Sequence, residues 1–212
     1  MNLINDPWIP VIRSRSGMRK MIRPYEITDE ITMDPFVKLE SPRPDFNGSL
    51  IQFLIGIVQT VMTPQDEKEW VDFYQNPPET KKLFMAMKDE ASYFELDQGD
   101  ARFMQDMGLP DEKTNDISSL LINAPGANTI KNNTDHFIKR GMVEGMCEVC
   151  AASALYTLNT NAPAGGAGIR TSMRGGGPLT VIAVPDGNKP EFNTLWHTIW
   201  LNILIQKDLA KT

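Results

Sequence analysis

Between Pro163 and Pro178 the chain reads Pro-Ala-Gly-Gly-Ala-Gly-Ile-Arg-Thr-Ser-Met-Arg-Gly-Gly-Gly-Pro. Six of these sixteen residues are glycine, two are arginine and none is acidic. Each glycine in a helix or strand interior costs roughly 0.5–1 kcal/mol relative to alanine, so any fold must carry this run as a loop between elements. Glycine also turns freely through positive φ and lets the main chain come close to a ligand. Arg170 and Arg174 add fixed positive charge and rigid donor forks that suit phosphates or base edges. Two readings follow: a flexible surface linker, or a cradle that presents bare main chain to an anionic partner.

A chain of 212 residues, 41% hydrophobic and 23% charged, has the make-up of a soluble globular protein with one substantial core or two small ones. The longest apolar run, Leu50 to Met62, is interrupted by Gln52 and Gln59 and is too short to span a bilayer. The first residues show no secretory signal, and the two cysteines fall in one Cys-x-x-Cys. The expected location is the cytoplasm, with no membrane partner. A formal charge of −6 argues against coating nucleic acid with the whole surface. The charge is uneven, however. Acids outnumber bases 14 to 6 from Pro64 to Asp116, whereas Arg13, Arg15, Arg19, Lys20 and Arg23 form a run without an acid. Such polarity fits one nucleic-acid-facing side and one acidic, solvated side; it also fits plain solubility.

Trp8–Arg13 and Met18–Ile22 around a Ser-Arg-Ser-Gly turn predict a β-hairpin, with Pro10 at an edge or first-residue position. Leu50, Phe53, Leu54, Ile57, Val58 and Val61 follow helical spacing and predict a helix from Ser49 to about Met62. Further helices are expected over Gln65–Gln75, with Pro64 as its opening residue, and over Glu79–Glu90. Ser92–Leu96 reads as a short strand and Ile117–Ile122 as a short helix. Residues 126 to 141 read as a long loop, Glu144–Leu158 as a helix, Leu179–Val184 as a strand and Phe192 to Ile205 as a last helix. The fold class is α+β, mixed helices and short strands in one globular domain with long irregular loops.

Cys147-Glu148-Val149-Cys150 has the spacing of half a tetrathiolate zinc site, but no second cysteine pair follows. Two buried, inert thiols are the plainer alternative. A redox pair would need a thioredoxin-type strand before the motif. The glycine run lacks the lysine of a phosphate loop and the third glycine of a dinucleotide fingerprint. His136 and His197 are the only histidines, and His197, among Trp196, Ile199 and Trp200, reads as packing. Trp196, Trp200, Leu201 and Leu204 read as a core stripe. Nothing points to catalysis.

Four stretches in order carry a family resemblance: Asn5-Asp6-Pro7-Trp8-Ile9-Pro10-Val11; Pro42-Arg43-Pro44-Asp45-Phe46 leading into Phe53–Thr60; Phe103-Met104-Gln105; and the glycine run ending Arg174-Gly175-Gly176-Gly177-Pro178. Together they resemble the N-terminal domain of the CasA family, the large subunits of type I-E CRISPR Cascade complexes. The resemblance covers residues 1–212. It implies a non-catalytic subunit that reads the PAM in target double-stranded DNA, supports R-loop initiation, docks beside the crRNA 5′ handle and other Cascade subunits, and recruits a separate nuclease-helicase. Gly165, Gly166, Ala167 and Gly168 would enter the DNA minor groove, flanked by Arg170 and Arg174. A groove about 6 Å wide admits bare backbone better than long side chains. Base pairing with the guide reads the rest of the target.

The stretch with Asn132, Asn133, His136 and Phe137 is similar to the family's loop on the crRNA handle and a neighbouring subunit, with Lys139 and Arg140 on phosphates. Family members continue into a domain that supplies a lysine, a glutamine wedge and a helical bundle, and the cysteine pair completing a zinc site with Cys147 and Cys150 would lie there. The expectation is therefore an N-terminal fragment, or a variant in which another domain, for example a fused nuclease, replaces that part. Two further readings stay open: a protein-only scaffold module, and a zinc-binding fragment without a nucleic-acid role.

Overall fold

A computed structural model of the chain describes residues 1–108, 114–136, 138, 141–162, 172, 173 and 180–209. The mixed α+β class expected from the sequence is the class observed. The residues group into two compact units, Met1–Phe103 with Thr180–Thr212, and Met104–Leu179.

In the first unit β1 (Ile9–Arg13) and β2 (Arg19–Ile22) form the expected antiparallel hairpin, with Ile9 opposite Ile22 and Ile12 opposite Arg19. A third strand, β3 (Phe36–Leu39), pairs antiparallel with the other side of β1, giving the order β2-β1-β3. Pro10 therefore lies in the central strand, not at an edge. Its carbonyl accepts from Glu40 N at 2.9 Å, so its ring nitrogen faces the same side, where β3 has already ended. The missing donor forfeits one bond at the end of that ladder and leaves the β2 pairing untouched.

α1 (Pro44–Val61) begins at Pro44, ahead of the expected Ser49, because proline takes the first helical position and Asp45 complements the first turn. It buries Leu50, Phe53, Leu54, Ile57 and Val58, the predicted stripe without Val61, and adds Phe46 in its first turn. α2 (Glu67–Gln75) is capped by Asp66, whose carboxylate accepts from Glu69 N at 2.9 Å. Pro64 thus precedes this helix rather than opening it. α3 (Thr80–Met87) runs into a 3-10 helix, Lys88–Phe94, in place of the strand expected at Ser92–Leu96. Only Glu95 makes a bridge, to Asn2.

The helix expected from Phe192 to Ile205 is divided into a 3-10 turn at Pro190–Phe192, α6 (Leu195–Trp200) and α7 (Gln206–Leu209). The described part of the expected strand, Thr180–Val184, is not a strand. Asn202 stands where its partner would: Nδ2 donates to Ala183 O at 2.9 Å, and Oδ1 accepts from Ala183 N at 2.8 Å. Gln59 clamps Leu204 in the same way, at 3.0 and 2.7 Å.

Aromatic rings fill the unit's core. Trp8, Phe53, Phe94 and Phe103 pack edge-on and stacked. Trp70, Phe73, Tyr74, Trp196 and Trp200 form a second cluster joining α2 to α6. All four indole N–H groups find main-chain carbonyls, of Leu3, Ile203, Phe73 and Trp70. Burial therefore strands no donor. Trp196 and Trp200 are buried as expected, whereas Leu204 is exposed.

In the second unit a 3-10 turn at Ile117–Leu120 packs on α5 (Glu148–Asn161), and α4 (Ala127–Lys131) stands within the stretch expected to be loop. α5 starts after the expected Glu144 because Cys147 caps it, its Sγ accepting from Cys150 N at 3.4 Å.

Candidate nucleic-acid interface

α5 carries the described approaches to the glycine run. It buries a face of small residues, Ala152, Ser153, Ala154, Thr157 and Thr160. The hydroxyls on that face fold back on carbonyls four residues earlier, Ser153 to Val149 at 2.9 Å, Thr157 to Ser153 at 2.7 Å and Thr160 to Tyr156 at 2.7 Å. No hydroxyl is thereby left dry and unpaired on this face. At the helix's end Ala162 N donates to Leu158 O at 3.2 Å, and Met173 N donates to Asn159 O at 2.9 Å. The chain thus leaves the last turn of α5 at Ala162 and comes back to it at Met173 with a main-chain bond. Gly165, Gly166, Ala167, Gly168, Arg170 and Arg174, the residues expected in the DNA groove, lie outside the described residues. Met173 beside them is exposed.

The stretch expected to dock on crRNA begins at the end of α4. Asn133 N donates to Ile130 O at 3.2 Å and Thr134 N to Thr129 O at 3.0 Å, and Asn133 has φ of 51°. Those two bonds around a left-handed residue are a Schellman cap, in which asparagine is the common substitute for glycine. The identity of Asn133 therefore has a main-chain reason. Asn132, Asn133 and His136 are exposed together on the few residues after the helix, with Lys131 in its last turn. Phe137, Lys139 and Arg140 lie outside the described residues.

Cys147 is exposed and Cys150 half-buried; both are free thiols. The reading of two buried, inert thiols is thus wrong for Cys147. The Cys150 N–H aimed at its sulfur holds the Cys147 thiol below the ordinary thiol range, while burial pushes Cys150 up. No strand leads into the pair, which removes the thioredoxin-type context. Zinc needs four ligands in a closed structural site. Among the described residues no group of three or more histidine, cysteine or acidic side chains is placed to hold a metal. The two thiols alone do not fit a closed zinc site.

The basic run near the N-terminus does not form an open cationic face. Arg13 is buried, its guanidinium pairs with Asp29 at 2.6 Å and Glu30 at 3.1 Å, and it lies over the Phe36 ring. Arg19 pairs with Glu40, Lys20 with Asp29, and Arg23 with Glu26. The sequence run without an acid meets its acids from residues 26 to 40. Only Arg15 of the five has no ion pair among the described residues.

His197 borders a cavity of about 660 Å³ with Arg15, Gln75 and Glu191. Its Nε2 lies 3.0 Å from Tyr74 O, which requires the proton there, and Nδ1 lies 2.7 Å from the Thr194 hydroxyl. Both ring nitrogens are engaged, and burial lowers the histidine's pKa.

The quoted sequence motifs hold structure together. Asn2 Oδ1 accepts from Ile4 N and Asn5 N, its Nδ2 reaches Ala91 O and Glu95, and its N–H meets the Asp6 carboxylate. Sequence reasoning missed this knot; Asn2 and Asp6 four residues apart were its signal. Phe103 is buried, and Met104 has φ of 54°.

The chain matches the family described as CRISPR-associated protein Cse1 over residues 2–211. Similar solved structures include Cse1 from Thermobifida fusca, at 19% identity and a TM-score of 0.72, covering 96% of this chain and 39% of that one. A CRISPR associated protein from Thermus thermophilus matches at 21% identity and a TM-score of 0.70, covering 98% and 40%. A chain of a CRISPR RNA-guided surveillance complex matches at 14% identity and a TM-score of 0.60, covering 78% and 35%. The chain spans 31 to 40% of the length of these relatives and of CasA from Thermus thermophilus.

Proposed function

The chain belongs to the CRISPR-associated Cse1 family, and from that premise we propose that it is a non-catalytic subunit of a crRNA-guided DNA surveillance complex. In this reading residues 165–168 meet the minor groove of the PAM duplex, with Arg170 and Arg174 on phosphates, and contribute to the start of target unwinding. Asn132, Asn133, His136, Phe137, Lys139 and Arg140 dock on the crRNA 5′ handle and the neighbouring subunit. The partners are crRNA, target double-stranded DNA, the other subunits and the complex's nuclease-helicase, in the cytoplasm. No helix among the described residues is long and apolar enough to cross a membrane.

The observation that carries the reading is the pair of main-chain tethers on the last turn of α5, at Leu158 O and Asn159 O. A segment whose ends, here Ala162 and Met173, are held to one helical turn loses less entropy on meeting a ligand than a free linker of equal length. Cys147 and Cys150 supply at most half of a zinc site, the remaining ligands coming from outside this chain's described residues.

In the reconstituted complex at fixed salt, Gly166→Asp combined with Arg174→Ala should abolish measurable binding of the target duplex and leave crRNA retention unchanged. Unchanged duplex affinity would refute the groove assignment. A protein-only scaffold is the second reading, favoured by the internal neutralisation of the basic run. Expression with the other subunits and measurement of co-purified RNA separates the two.

A further inference from the structure

We propose that the outer edge of β3 and the segment Thr180–Val184 form a slot that takes up one extended strand of another polypeptide. Among the described residues β1 is the only partner of β3, so the sheet ends there. Lys38 lies opposite Ile12, and Glu40 N donates to Pro10 O, so both residues direct their main chain toward β1. Leu39 between them turns its N–H and C=O the other way, to the open edge. That edge borders a groove of about 420 Å³ whose lining includes Val37, Leu39 and Ile51 on one side of the sequence and Val184, Pro185 and Leu195 on the other.

The segment across the groove has the composition of a strand but does not form one. Val181-Ile182-Ala183-Val184 is β-branched and apolar, yet Val181 is 94% and Val184 67% exposed. Asn202 satisfies both main-chain groups of Ala183, as a neighbouring strand would. Ile182 and Val184 flank the clamped residue. Neither makes a main-chain hydrogen bond among the described residues. Main-chain donors and acceptors on a sheet edge, with apolar side chains beside them, suit an added extended strand.

Charge selects the occupant further. Among the described residues Lys38 is the only charged one lining the groove. Glu40 is shared between Lys38 at 3.1 Å and Arg19 at 3.1 Å, which leaves one positive charge in excess. The strand that fits alternates β-branched residues and carries a carboxylate opposite Lys38.

The test uses the full chain and the peptide acetyl-Thr-Val-Glu-Val-Thr-amide, with exchange of the Leu39 amide followed by NMR. The peptide should slow exchange at Leu39 and shift the Val184 resonances. The same peptide N-methylated at alternate residues should do neither, a control that needs no variant to fold. Val184→Glu, at an exposed site, should abolish the effect. Lys38→Glu should weaken it about threefold, in line with an exposed ion pair, and a lysine in place of the peptide's glutamate should restore it. Equal binding of the N-methylated peptide, or no protection of Leu39, overturns the proposal. Concentration-dependent self-association through this edge, lost in Val184→Glu, also overturns it, since the occupant would then be a second copy. None of these outcomes bears on duplex binding by residues 165–168, so the two proposals fail separately.

Discussion

All four tryptophans lie in the first unit, each with its indole N–H on a main-chain carbonyl, while the longest helix of the second unit buries alanine, serine and threonine. The first unit is thus specified by large side chains whose removal leaves holes. α5 is specified by small ones whose hydroxyls are already satisfied inside the helix. The charged residues differ in the same sense. The basic run of the first unit is consumed by Asp29, Glu30, Glu26 and Glu40, whereas Asn132, Asn133 and His136 of the second stand exposed.

The sharpest way to break this contrast is Trp200→Ala. Trp200 is fully buried, packs on Trp70, Phe73 and Trp196, and donates to Trp70 O at 2.8 Å. Its truncation should cost about 3–5 kcal/mol in urea unfolding. Thr157→Val in α5, which removes a self-satisfied hydroxyl, should cost about 0.5–1.5 kcal/mol. Equal losses would erase the distinction. Arg13→Ala comes next. It leaves Asp29 and Glu30 without their guanidinium and uncovers Phe36, for about 2–3 kcal/mol. That is below the figure for a fully buried pair because both acids keep contact with water. If Arg13 instead served nucleic acid, the variant would unfold normally and lose crRNA.

How far the sequence foretold this contrast depends on how local each signal is. The hairpin and α1 were readable because alternation and helical spacing are written within a dozen residues. The fate of Arg13 was not, since its partners Asp29 and Glu30 come from a turn that only the fold brings near. Thr180–Val184 misled for the converse reason. Its residues have high β propensity, but propensity does not supply a neighbour, and Asn202 fills the place. The site was readable only as a list of residues. Asn133 was singled out for RNA, yet its left-handed φ gives it a prior duty in the cap of α4.

The next effect is a slope in the first unit. His197 is buried with Nε2 on Tyr74 O, and its folded pKa lies below the ordinary value of about 6.5. In acid the unfolded chain therefore binds the proton first. Its stabilising share is complete above about pH 6.5 and is lost as pH falls through that value toward the lower folded pKa. Urea midpoints measured from pH 7.5 down to 5 should fall more steeply for the native chain than for His197→Gln. Parallel slopes would show that the ring is not held neutral by its surroundings.

The smallest effect separates stability from recognition within the second unit. Asn133 has φ of 51°, so Asn133→Ala places an ordinary side chain in the left-handed region and should cost about 1–2 kcal/mol. Asn133→Gly keeps that conformation open and should change stability by only a few tenths of a kcal/mol. The two variants lack the same amide. If the amide itself holds crRNA, both should lose RNA from the reconstituted complex to the same extent despite their different stabilities. If retention follows stability instead, with the glycine variant like the native chain, Asn133 acts only as a helix cap. The exposed set for RNA among the described residues then contracts to Asn132 and His136, whose alanine variants should lose RNA without any change in unfolding.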